Sequence, residues 1–291
     1  MTIAPGFRAA AAASLFLLVA CAQDGGDSAP SGDTPVPRDA DAVALRIAYT
    51  GGFTTPGDSV ARLPIVTIYG DGRAIVQGPQ PAIYPGPALP NLQVIKISSA
   101  DVDKLVERAT DAGVGTAGDL GRPPVADAPS TRFTVDTTGG PATTEVYALN
   151  ETADTGTGLT ADQVAARAKL RDLVTAVSDL HGTLGVASGS EQPYQAVTLA
   201  AIASPYVTPE PAAGLKQPEV AWPGPALPGT SIGNGLDTGC VTVTGADTGK
   251  VLSAADKANA ATPWTSEGRK WTVIVRPLLP DEKDCADLLD G

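Results

Sequence analysis

Leu63-Pro64-Ile65-Val66-Thr67-Ile68-Tyr69-Gly70-Asp71-Gly72-Arg73-Ala74-Ile75-Val76 is the stretch that decides the fold. Two apolar, β-branched runs flank Gly-Asp-Gly. A tight reversal between strands needs positive φ, which Gly and Asp tolerate, so the stretch predicts a β-hairpin. A hairpin builds an antiparallel sheet, and such a sheet needs at least one face covered by something else.

The neighbouring segments supply both more strands and the cover. Upstream, Val43, Leu45 and Ile47 alternate with smaller or polar residues in Ala42 to Phe53, the pattern of a half-buried strand. Downstream, Ser98 or Ser99 can cap a helix running to about Ala112, with Asp101 and Asp103 near its positive end. Val102, Leu105, Val106 and Ala109 form its apolar face, and Gly113 ends it. The pattern then recurs. Arg132 to Val135 and Thr144 to Leu149 read as strands around Gly139-Gly140-Pro141. Leu159-Thr160-Ala161-Asp162 opens a long helix to about Leu180, with Val164, Leu170, Leu173, Val174 and Val177 inward. Tyr194 to Ile202 reads as a further strand. Prolines dominate from Pro205 to Gly229, which predicts a semi-rigid linker or surface strap. Beyond it, Cys240 to Thr244 reads as a strand, Leu252-Ser253-Ala254-Ala255-Asp256 as a helix start, and Lys270 to Pro277 as the last strand.

The amino end is of a different kind. Arg8 precedes an apolar run, Ala9 to Ala20, too short for the roughly 20 residues of a membrane span but suited to the core of a secretory signal. The run ends in Leu18-Val19-Ala20-Cys21, which resembles the lipobox of bacterial lipoproteins. The resemblance implies cleavage before Cys21, a diacylglycerol thioether on its sulfur and acylation of its amine. Two or more chains hold firmly where one would not. Ala22 to Asp41 is Gly, Ser, Pro and Asp with almost no large apolar side chain, so it reads as a tether with a reach of about 25 Å.

The chain has 3 cysteines. With Cys21 lipidated, Cys240 and Cys285 remain as an even pair in an oxidising compartment and are expected to bond. Closing that loop is worth roughly 4 kcal/mol by chain-entropy reasoning. No His or third Cys lies near either one, which disfavours a metal site. The formal net charge of −12 repels nucleic acid and anionic headgroups, so neither is an expected partner.

Short motifs do not add up to an active site. Gly229-Thr230-Ser231-Ile232-Gly233 has the letters of a nucleophile elbow but no strand before the serine or helix after it. The only histidine, His181, sits at a predicted helix end and there meets free carbonyls. Asp-Thr-Gly begins at Asp154, Asp237 and Asp247, none of them after a buried apolar strand as a carboxylate dyad requires. Gly113-Val114-Gly115-Thr116-Ala117-Gly118 follows a helix rather than a strand, and so does not fit a dinucleotide fingerprint. No Ca2+-loop spacing occurs, and no cofactor or metal is read. Pro-Gly-Pro-Ala-Leu-Pro occurs after Tyr84 (Pro85 to Pro90) and again after Trp222 (Pro223 to Pro228). Tyr84 and Trp222 are therefore the candidate partner-binding residues, as aromatic-plus-polyproline patches. Trp222, Trp264 and Trp271 could stack on sugars or fill a core.

The lipobox, the tether, Leu63 to Arg73 and the closing Arg276-Pro277-Leu278-Leu279-Pro280-Asp281-Glu282 with Cys285 together look like an uncharacterised family of lipoproteins of GC-rich Gram-positive bacteria. That resemblance implies a location and no activity. The expected organisation is a signal peptide (1–20), a tether (21–42), an α+β domain (43–204), a proline-rich strap or linker (205–231) and a smaller disulfide-tied α+β part (232–291). The α+β domain is expected to hold antiparallel strand hairpins with its two main helices on one face. The expected function is a non-catalytic binding or envelope-maintenance protein, lipid-anchored on the extracytoplasmic face, with an envelope protein or polysaccharide as partner. The alternative is an envelope hydrolase with acidic catalytic residues.

Overall fold

The computed structural model describes residues 38–151, 157–187, 189–207, 217–232 and 237–289. Cys21, residues 22–37 of the expected tether and Asp154 lie outside the described residues. The last tether residues are not free chain but are tied to the first sheet and its helix by charge, with Arg38 donating to Asp103 Oδ1 at 2.5 Å and Asp41 pairing with Arg73.

The predicted hairpin is the middle of a seven-stranded antiparallel sheet. Its strands are β1 (Val43–Gly51), β2 (Val66–Tyr69), β3 (Arg73–Gln77), β4 (Leu92–Lys96), β5 (Pro129–Thr137), β6 (Gly140–Tyr147) and β7 (Gln192–Pro193), in the order β6-β5-β1-β2-β3-β4-β7. At the turn, Gly72 has φ +81°, and a Cβ there would stand 2.2 Å from the Ile97 carbonyl oxygen. Glycine is required on both counts.

Register sorts the side chains. Leu45 lies opposite Ile68 and Val135, Ile68 opposite Ala74, and Ile47 opposite Val66 and Phe133, so all share one face. On that face Val102, Leu105 and Ala109 of α2 (Ser99–Asp111) and Leu170, Leu173 and Val177 of α3 (Ala161–Ser178) join them in one core. Ser98 caps α2 by accepting from the Asp101 amide, and Thr160 with Gln163 forms a capping box on α3. The long helix ends at Ser178, close to the expected Leu180. Asp179 leaves helical geometry and starts a separate turn, α4 (Leu180–Leu184), by accepting from the Gly182 amide.

The second sheet has six strands: β8 (Leu199–Pro205), β9 (Val220–Ala221), β10 (Thr230–Ser231), β11 (Gly239–Val243), β12 (Trp264–Ser266) and β13 (Arg269–Pro277), ordered β10-β11-β8-β13-β12-β9. Its one parallel pair is β9 with β12. Here β8, expected in the first part of the chain, is an interior strand of the second sheet, buried from Leu199 to Ala203. The strap contributes β9 and β10 at the two edges. The expected helix start at Leu252 to Asp256 is wrong. Helix α5 (Ala246–Ala255) opens after Gly245, at φ +61°, and ends there, so Ser253 sits in its last turn and caps nothing. Alanine-rich sequence offers few polar cues, and the burial of Thr248, Val251 and Ala255 decides the span. One face of this sheet packs with α5 and the tryptophans. Against the other lie a short helix, α1 (Pro56–Ala61), and the chain end, where Cys240 and Cys285 form the expected disulfide with Cα atoms 6.0 Å apart.

Candidate functional site

The two sheets are tied by the tail that follows β13. Leu278 packs with Ala200 and Ile202 of the second sheet, whereas its neighbour Leu279 packs with Tyr69, Ile75 and Leu92 of the first. Ion pairs repeat the arrangement. Arg276, 3% exposed, holds both Glu282 oxygens, with Nη1 to Oε2 at 2.6 Å and Nη2 to Oε1 at 2.8 Å. Arg46 of β1 donates to Asp281 Oδ1 at 2.7 Å, and the Tyr69 hydroxyl donates to the same oxygen at 2.6 Å. Tyr194 adds a bond from its hydroxyl to the Leu278 carbonyl at 2.7 Å. Burial would lower the Arg46 pKa, but the Asp281 carboxylate more than reverses this and raises it. Burial first, and Asp281 second, push the Tyr69 phenol far up. Burial likewise pushes Tyr194 up to about 12.

Between the tail, α1 and the back of the first sheet opens a cleft of about 570 Å3, lined among others by Arg46, Arg62, Arg132, Thr134, Asp281 and Glu282. Arg46, Asp281 and Glu282 in it are held in the ion pairs just described, and its guanidinium and carboxylate groups can hold a polar ligand.

The first proline repeat belongs to the loop between β3 and β4. Its base is pinched, with the Gly78 amide donating to the Asn91 carbonyl at 2.8 Å and Asn91 Nδ2 to the Pro79 carbonyl at 2.9 Å. Its later part is pinned by the Ala260 amide, which donates to the Gly86 carbonyl at 2.8 Å, and Ala88 and Leu89 pack on the second core. Between these anchors Ile83 and Tyr84 stand out, 63% and 61% exposed. Beside them an apolar groove of about 340 Å3 is lined by Leu63, Pro81, Pro87, Leu89 and Ile274.

Trp222, before the second repeat, is placed differently. It is 8% exposed, meets Trp264 edge-to-face at 5.4 Å, and donates from Nε1 to the Pro225 carbonyl at 2.8 Å. A tryptophan next to prolines reads as a surface ring, but the second sheet provides a partner for it, so it is a core residue. The two repeats therefore anchor on one core, through Ala88 and Leu89 in the first and Leu227 in the second. Only the first presents an aromatic ring to solvent. Trp264 and Trp271 are buried too, which leaves no exposed tryptophan for sugar stacking among the described residues.

The Gly113 to Gly118 segment is a loop, as expected. Gly113 ends α2 at φ +100°, and a Cβ on Gly115 would meet the Ala142 methyl at 2.5 Å. This close approach forms one wall of a groove of about 510 Å3 along β6, with Asp119, Arg122, Thr143, Glu145 and Tyr147. The Arg122 guanidinium lies 3.9 Å over the Tyr147 ring. Burial would raise the Glu145 carboxyl, but hydrogen bonds from Arg132, Thr50 and Ser130 outweigh it and hold the carboxyl below its usual range.

Beneath this groove lies a residue the periodicity did not reveal. Arg167, on the inward face of α3, is fully buried and donates to the carbonyls of Leu120 (3.2 Å), Tyr147 (2.8 Å) and Ala148 (2.5 Å). Its position between Val164 and Leu170 on the inward stripe was the available signal.

The other candidates are not brought together into a catalytic arrangement. Ser231 pairs with Gly239 in the ladder, whereas His181 lies in α4 with Nδ1 3.1 Å from the Val186 carbonyl oxygen and Nε2 against a Glu191 oxygen. Both neighbours are acceptors, so the doubly protonated ring suits the site. The Val186 carbonyl first, and Glu191 second, raise its pKa. Asp237 lies 3.7 Å from Arg269, and Asp247 opens α5 and pairs with Lys250. No group of three or more metal-ligating side chains occurs among the described residues. The chain matches no protein-family model, no curated protein and no solved structure.

Proposed function

We propose that this chain is an extracytoplasmic binding protein, held on the membrane by a lipid on Cys21 and engaging an envelope partner through its folded part. The Leu-Val-Ala-Cys signal, the tether and the Cys240–Cys285 bond all suit an exported, anchored protein. Among the described residues no helix is long and apolar enough to cross a membrane. One observation carries the binding reading: Asp281 and Glu282 are committed to joining the two sheets, while Ile83 and Tyr84 are held out on a pinned loop beside an apolar groove. In this reading α2 and α3 cover one face of the first sheet, and the disulfide-tied C-terminal part closes the other.

Two measurements test it. Cys21→Ala should release the protein from membranes, with loss of the lipid mass from its amino-terminal peptide. A photo-crosslinker replacing Tyr84 in intact cells should capture an envelope protein or polysaccharide that the same probe at exposed Phe53 does not. Equal membrane association of Cys21→Ala sinks the anchor, and identical capture at both positions sinks the docking role of the loop. The second reading, an envelope hydrolase, draws on Asp281 and Glu282 in the 570 Å3 cleft. It requires turnover of an envelope polymer that Asp281→Asn abolishes without unfolding the chain.

A further inference from the structure

Charged contacts around Arg38 fix where the chain from Cys21 enters the fold. The Arg38 side chain, 8% exposed, donates to Asp103 Oδ1 at 2.5 Å near the start of α2, and its Nε lies 3.8 Å from Asp136 Oδ2 at the end of β5. Asp41 pairs with Arg73, and the Gly70 amide donates to the Ala42 carbonyl at 2.9 Å. A Cβ on Gly70 would stand 2.6 Å from the Arg38 Cβ, so glycine at this turn is what lets the clamp close. These contacts share one end of the first sheet, where β1 and β3 begin and β2, β4 and β5 finish.

The loop carrying Ile83 and Tyr84 leaves from the opposite end, between the last residue of β3 and the first of β4. Strand β1 runs from one end to the other and measures the separation: 9 residues, or about 27 Å. A Gly/Ser-type chain as long as residues 22–37 has an r.m.s. reach of about 22 Å. Setting the Tyr84 loop on the headgroups would require that chain to run back along the whole sheet. In a Gaussian chain of this reach, an extension of about 27 Å is roughly tenfold rarer than the relaxed state.

An exposed Ile-Tyr pair beside an apolar groove suits either a membrane interface or a protein partner. Position separates the two, because the pair stands at the end opposite the anchored one. A polysaccharide fits less well, since the groove walls of Leu63, Pro81, Pro87, Leu89 and Ile274 offer few partners to its hydroxyls. We propose that the Arg38 clamp stands the first sheet on end, with Gly70 toward the bilayer and Tyr84 at the membrane-distal tip, and that this tip docks an apolar segment of a protein lying beyond the bilayer. The proposal rests on the Cys21 anchor of the binding reading and adds which way the surface faces and what it takes.

The test uses the acylated full chain in phosphatidylcholine–phosphatidylglycerol vesicles that carry a quencher on the headgroup. A fluorophore is attached through Lys96→Cys, exposed at the Arg38 end, or through Ile83→Cys, beside an intact Tyr84. Contact quenching at position 83 should be about tenfold weaker than at position 96. A second copy of residues 22–37 inserted after Pro37 raises the reach to about 31 Å and should shrink that contrast to about threefold without touching the fold. In intact cells the photo-crosslinker at Tyr84 should capture a protein that has no membrane span. Protein that floats with the vesicles yet is quenched equally at both positions overturns the orientation, as does a contrast unmoved by the longer linker. Capture of phospholipid, of a membrane-embedded segment or of a polysaccharide overturns the assigned partner. Failure of the unlabelled acylated chain to float with vesicles defeats the anchor and the proposal together, whereas the other outcomes leave the anchor standing.

Discussion

Replacing Arg167 with methionine separates the role of a buried guanidinium from that of a merely long side chain. Methionine fills a similar volume and donates nothing. The carbonyls of Leu120, Tyr147 and Ala148 would lose their donor in a region without bulk water. Each stranded acceptor costs about 1–3 kcal/mol. Part of this returns, because the native fold desolvates a charge: burial first, then Arg171, lowers the Arg167 pKa. A net loss of about 3 kcal/mol is expected, or roughly 6–12 °C in Tm for a domain of this size. Urea melts followed by far-UV circular dichroism and by tryptophan fluorescence measure it. All 3 tryptophans belong to the second sheet's core, whereas Arg167 serves the first sheet, so coincident transitions also establish that both sheets unfold together. Exposed Arg108→Met is the control, with an expected change within about 0.5 kcal/mol. If Arg167→Met costs no more than this control, the carbonyl-clamp argument is wrong.

Further outcomes follow from the same contacts. Cys240→Ala with Cys285→Ala should lower stability by roughly 4 kcal/mol, and unreduced exported protein should resist alkylation at both positions. The single histidine should titrate in NMR above its ordinary 6.5. Because its folded pKa is raised, its contribution is complete below 6.5 and lost as pH rises through the folded value; Glu191, whose pKa is lowered, contributes above 4.5 and less as pH falls. A midpoint at or below 6.5 refutes the contact. Trp222→Ala should cost about 3–5 kcal/mol and Tyr84→Ala less than about 0.5, since one ring is in the core and the other in solvent. Similar costs in a thermal melt would contradict the placement of the two repeats. Glu282→Gln should destabilise by about 3 kcal/mol, by leaving the Arg276 charge buried without a carboxylate; a neutral effect in a urea melt would show the clamp to be dispensable.

Local chemistry was enough to predict the Gly70-Asp71-Gly72 hairpin, the Ser98 and Thr160 helix starts and the alternation in β1, because turns, caps and half-buried strands depend on neighbouring residues. The disulfide was expected from the cysteine number together with the expected oxidising compartment. Where local cues were thin, prediction failed. Alanine-rich α5 was displaced toward its own end.

What the chain cannot express locally is which strands meet. The place of β8 between β11 and β13, the burial of Trp222 against Trp264, and the tail that joins the sheets through Asp281 and Glu282 all depend on partners distant in sequence. The same holds for the Arg38 clamp, whose partners Asp103 and Asp136 lie far along the chain. The sequence alone determined the local elements and the expected export, whereas tertiary pairing decided which polar groups are engaged and which are presented.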